Sequence, residues 1–76
     1  MNDYQDKRIS YTSHAKQRIR ERFISRKDVE KGILNRKWKE AYGDKQKVIQ
    51  AINGKEIEII LKPEDDKILV ITVYWR

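Results

Sequence analysis

QKVIQAINGKEIEIILKPEDDKILVITVYW, residues 46–75, is the stretch whose reading decides the fold. β-Branched and aromatic residues crowd it, and two turn signals divide it: Asn53-Gly54 and Pro63-Glu64-Asp65-Asp66. Gln46–Ile52, Lys55–Lys62 and Lys67–Trp75 therefore read as three antiparallel strands. A two-residue Asn-Gly loop pairs Ile52 with Lys55 and puts Ile57 and Ile59 on a face with Gln50 and Val48. A three-residue loop groups Ile57, Ile59 and Leu61 with Ile49 and Ala51, a cleaner apolar face. Because a one-residue slip exchanges the faces, the pattern predicts the longer loop with a bulge. In the last strand, period two sets Ile71, Val73 and Trp75 on one side and Thr72 and Tyr74 on the other.

Upstream the period becomes helical. Ser13–Phe23, SHAKQRIRERF, aligns Ala15, Ile19 and Phe23 as a row for burial. His14, Arg18 and Arg22 form a neighbouring row at i, i+4, i+8. Ser13 is the expected N-cap, with His14 the first helical residue. Ser25-Arg26-Lys27-Asp28 has capping-box spacing and opens a second helix, whose buried face is Val29, Ile33 and Leu34 and which fades near Asn35–Lys37. Arg8–Tyr11 alternates as a short edge strand, and Glu40–Lys45 reads as a turn or short strand. The prediction is an α+β domain over residues 8–76, with a disordered tail at 1–7. It has a short N-terminal strand, two helices on one sheet face, and an antiparallel sheet of three to four strands.

Composition narrows the function classes. The 76 residues contain no cysteine and one histidine, so neither a disulfide framework nor a thiolate metal site is available, and no metal or cofactor is expected. No apolar run approaches the roughly 18 residues of a membrane span, and MNDYQDKR does not read as a signal peptide, so the expected location is cytoplasmic. The formal charge is +6, and residues 1–40 hold 12 Lys/Arg against 6 Asp/Glu, whereas residues 41–76 hold 6 of each. The whole excess lies in the helical half, which suits a polyanion, nucleic acid foremost. Lys16, Arg20, Arg22, Arg26 and Lys27, with Arg18, are the expected nucleic-acid-binding residues.

The order of these motifs resembles a known family. A helix bearing H-x-x-x-R, a capped second helix and a meander ending T-V-Y is similar to the small domain-of-unknown-function family numbered four-two-five-eight. Thr12-Ser13-His14-Ala15-Lys16-Gln17-Arg18-Ile19-Arg20-Glu21-Arg22 and Val70-Ile71-Thr72-Val73-Tyr74 carry the resemblance, which spans Ile9 to Trp75. That layout is in turn similar to the barnase–EndoU–colicin–RelE group of small nucleases and toxins. The resemblance implies a RelE/EndoU-like fold and a toxin-like, metal-independent ribonuclease, restrained by an antitoxin or immunity partner. It points to His14, Arg18, Thr72 and Tyr74 as catalytic.

Metal-free RNA cleavage needs a base for the 2′-hydroxyl, an acid for the leaving oxygen and positive charge beside the phosphorane. His14, next to Arg18 and near a helix N-terminus, is the expected base, its pKa lowered by like charge and dipole. Arg18 would brace the phosphate. Tyr74 or Thr72 would hold the phosphate or deliver a proton, although a phenol near pKa ~10 is a sluggish acid. Two other readings stay open. One is a non-catalytic nucleic-acid-binding module with Trp38, Tyr42 or Trp75 as stacking surfaces. The other is an accessory protein that binds a partner through a sheet edge.

Overall fold

A computed structural model describes residues 8–76, so the expected tail at 1–7 lies outside the described residues. The elements are β1 (Arg8–Tyr11), α1 (Ser13–Glu21), α2 (Arg26–Leu34), β2 (Lys39–Glu40), β3 (Gln46–Ile52), β4 (Lys55–Pro63) and β5 (Lys67–Trp75). They build an α+β molecule around one five-stranded sheet of order β1-β5-β4-β3-β2. β2 to β5 pair antiparallel, as the turn signals require. β1 instead lies parallel to β5, with Ile9 opposite Ile68 and Tyr11 opposite Val70.

The hairpin register differs from the expectation. Ile52 pairs with Lys55, Gln50 with Ile57 and Val48 with Ile59, so the Asn53-Gly54 loop has two residues and no bulge. Both have positive φ, 49° and 84°, the type I′ geometry whose twist matches the strands it joins. The apolar-face argument fails at Gln50 because helix backbone covers its aliphatic stem. A Cβ added to Gly32 of α2 would stand 2.9 Å from Gln50 Cβ and 3.0 Å from Ile59 Cδ1. The Gln50 amide reaches past that contact, where its Oε1 accepts from Asn35 Nδ2 at 3.1 Å.

The bulge lies in β5. Ile60 pairs with Thr72 but Leu61 pairs with Val70, leaving Ile71 as an extra residue. It shifts the alternation, so Val73 meets the core on one side of the bulge and Val70 and Ile68 meet it on the other. The expected grouping of Ile71 with Val73 and Trp75 is corrected accordingly. Both helices cover this face: Ala15, Ile19, Ile24, Val29 and Ile33 join the β3, β4 and β5 residues in one buried cluster.

Three helix expectations also change. Thr12, not Ser13, caps α1: its Oγ1 accepts from Ala15 N at 3.0 Å and donates to Ile71 O at 2.9 Å. β1 already fixes Thr12, whose N–H donates to Val70 O at 3.1 Å, so the cap falls one residue early. Phe23 is not buried. α1 stops at Glu21 and closes with Ile24 N–H on Ile19 O at 3.0 Å and Phe23 N–H on Arg20 O at 3.4 Å. Those two bonds make a Schellman cap, which puts Ile24, not Phe23, in the core. Ser25 caps α2 as expected, accepting from Lys27 N at 3.1 Å. Leu34, expected on the buried face of α2, ends that helix with 44% exposure because Ile33 takes the inward position.

Gly32 sets the separation of α2 from the sheet. Alanine has better helix propensity by about 1 kcal/mol, but a methyl forced onto Gln50 Cβ overpacks by about 1–3 kcal/mol. Gly32→Ala is expected to lower the thermal midpoint, read by circular dichroism, and Gly32→Val to lower it further. A midpoint raised by Gly32→Ala would show the contact to be slack.

Candidate functional site

α1 runs along the half of β5 that β1 leaves unpaired. Its start is tied to Ile71 through Thr12, and its end is tied to Trp75, whose Nε1 donates to Arg22 O at 3.0 Å. Ala15 and Ile19 are turned inward, which leaves the His14, Arg18, Arg22 row on the flank of the helix. His14 is exposed, and Arg18 Nε donates to its Nε2 across a long 3.4 Å contact. The same guanidinium lies 3.8 Å from Glu21. Among the described residues Lys16, Arg20, Arg22 and Lys27 are exposed cations that no carboxylate pairs. Arg26 sits 4.9 Å over the Tyr11 ring, whose hydroxyl donates to Glu30 at 2.9 Å. Burial, then that hydrogen bond, pushes the Tyr11 phenol well above its ordinary range.

Thr72 and Tyr74 occupy the other face of β5. They pair with Ile60 and Glu58, out of phase with Val73 and so directed away from the helices. The Tyr74 hydroxyl donates to the Glu58 carboxylate, which Arg76 Nε also approaches at 3.8 Å. The Glu58 side chain is only 13% exposed. Beside them is an open hollow of about 330 Å³, lined by Lys47, Glu58, Ile60, Thr72, Tyr74 and the 40–42 segment. Residues 41–45 are held near it by Asp44, whose carboxylate is 3.3 Å from Lys62 Nζ.

The structure thus brings His14 together with Arg18, and Thr72 together with Tyr74, but distributes the two pairs between the helix layer and the bare sheet face. No described contact joins them. Glu58 and Arg76 were not singled out from sequence: their meeting with Tyr74 depends on the β4–β5 register, which the bulge sets. Of the three aromatics expected as stacking surfaces, Trp38 and Trp75 pack against the core and donate to Ile33 O and Arg22 O. Tyr42 is exposed, with Lys45 Nζ 5.2 Å from its ring centre.

A family model described as Domain of unknown function (DUF4258) covers residues 11–75. The chain belongs to that family. The matched span begins at Tyr11, immediately before the Thr12 cap, and ends at Trp75, so it takes in His14, Arg18, Thr72 and Tyr74. No curated protein and no solved structure matches the chain. Among the described residues no helix is long and apolar enough to cross a membrane, and no three His, Cys, Asp or Glu side chains converge as a metal site.

The hydrogen bond to Glu58, then burial and the Glu58 charge, raise the Tyr74 phenol above its ordinary value, while Arg76 pulls the other way. A raised phenol pKa means that the fold favours the protonated form. Its stabilising contribution is present below about pH 10, the ordinary phenol value, and is lost as pH rises through the raised value. Glu58→Gln is expected to bring the Tyr74 titration down toward ~10, read as the phenolate absorbance difference from a Tyr74→Phe control. An unchanged titration would show that Glu58 does not hold the phenol.

Proposed function

We propose that this chain is a small, toxin-like ribonuclease that needs no metal and cleaves RNA by attack of a 2′-hydroxyl on the adjacent phosphodiester. The observation that carries this reading is the Arg18–His14 pair on a helix whose Lys16, Arg20 and Arg22 are exposed and without a carboxylate partner among the described residues. Nε2 of His14 accepts from Arg18, so in this arrangement it carries a lone pair, with the ring proton assigned to Nδ1. The contact is long, and a phosphate offers the guanidinium a stronger, bidentate partner. Phosphate binding then draws Arg18 away and leaves Nε2 free to take the 2′-hydroxyl proton. The 2′-oxygen attacks phosphorus, the bond to the 5′-oxygen breaks, and that oxygen takes a proton from water. The products are a 2′,3′-cyclic phosphate and a 5′-hydroxyl. Arg20, Arg22, Arg26, Lys16 and Lys27 hold neighbouring phosphates. A protein partner of antitoxin or immunity type, acidic enough to cover these cations, would silence the chain in a cytoplasmic setting.

One observation favours a second reading, a nucleic-acid-binding module without catalysis. Thr72 and Tyr74 face away from the helix layer, so neither stands beside the imidazole as the acid.

Incubation of the pure protein with mixed RNA in excess EDTA separates the two. Cleavage that survives chelation and leaves 2′,3′-cyclic ends is expected. His14→Ala should slow it by about 100-fold or more, the usual contribution of a general base, and Arg18→Ala should weaken both binding and rate. RNA that stays intact, yet is bound and released by salt, would establish the binding module instead.

A further inference from the structure

Phe23 occupies a position that suits glycine. It is the C′ residue of α1, with φ of 55°, in the left-handed region that costs an L-residue with a Cβ energy and that bulky residues rarely adopt. The side chain gains nothing from burial in return, being 93% exposed, since Ile24 fills the core position beside Ile19. Backbone strain at an exposed residue that contributes nothing to the core points to a contact outside the molecule. Its surroundings indicate the kind of contact. Residues 13–27 hold six Lys/Arg against one Glu, and Arg20, Arg22 and Lys27 have no carboxylate partner among the described residues. An aromatic ring set among unpaired cations is the composition of a single-strand nucleic-acid platform, where cations follow the backbone and the ring takes a base.

We propose that Phe23 is a stacking platform for an unpaired base of single-stranded RNA whose backbone follows the cations of α1. This rests on the nucleic-acid reading above and specifies its substrate: an unpaired strand, since a base held in a duplex keeps both faces stacked. At about 1.5 Å per residue, Arg22 lies about 12 Å along the helix from His14. A strand laid along α1 therefore passes the imidazole and ends at the ring.

The test uses the intact chain and fluorescence anisotropy with a labelled single-stranded 2′-O-methyl oligoribonucleotide, which has no 2′-hydroxyl to cleave. The duplex of the same sequence and a strand abasic at every third position are the companions. Phe23→Gly is expected to keep or raise the thermal midpoint, because glycine adopts positive φ without strain. It should also weaken single-strand binding about 5-fold or more, as loss of a base stack does. Duplex affinity should not change, Phe23→Trp should retain single-strand binding, and the loss should shrink on the abasic strand. Single-strand binding by Phe23→Gly equal to that of the unaltered chain, or an equal loss on duplex, overturns the stacking role and leaves the nucleic-acid reading standing. An unaltered chain that binds neither probe overturns that reading, and the platform with it.

Discussion

Thr12 makes the connection on which the placement of everything else depends. Its N–H closes β1 against Val70, its hydroxyl donates to the carbonyl of the bulged Ile71, and the same oxygen caps the first turn of α1. One residue therefore ends a strand, starts a helix and fastens both to β5. An N-cap of this kind is worth about 0.5–2 kcal/mol, and here its loss would also leave a bulge carbonyl without its donor. Because the helix starts there, it must run beside the free half of β5 until Trp75 fastens its other end at Arg22. Ala15 and Ile19 then have one direction in which to be buried, and the flank with His14 and Arg18 follows from that.

The result is a molecule with two polar regions of different character. The helix layer offers cations in excess, mostly unpaired, with an imidazole among them. The bare sheet face offers Tyr74, Glu58 and Arg76 bonded to one another, a neutralised group whose charges are already satisfied. The proposed polyanion would be drawn to the first, where the field is uncompensated, and would gain less at the second. This difference is why the proposed phosphate contacts lie on α1, and why an acid from β5 does not enter the proposed step.

Much of this was legible in the chain. The three strands of residues 46–75, the two helices, the Ser25 cap and the basic first half follow from period, turn residues and charge, all local properties. The family layout led to His14, Arg18, Thr72 and Tyr74 as a set. Their division between two layers was not legible, because it depends on which face of β5 meets the helices. Glu58 was hidden for a related reason: it stands opposite Tyr74 only once the β4–β5 register is known.

Sequence by itself determined the kinds of element, their order and where the charge lies, since helical and strand periods, caps and Asn-Gly turns act over a few residues. Tertiary structure alone decided three things. Gln50 could turn toward the helices because the missing Cβ of Gly32 let backbone come close enough to cover it. Ile71 became the bulge that brings Ile68, Val70 and Val73 into one core. Phe23 was left outside because Ile24 closed the helix cap against Ile19. For Gln50 and Ile71 the outcome depended on what a distant segment offered to pack against, and for Phe23 it depended on Ile24 meeting the core once the helix closed.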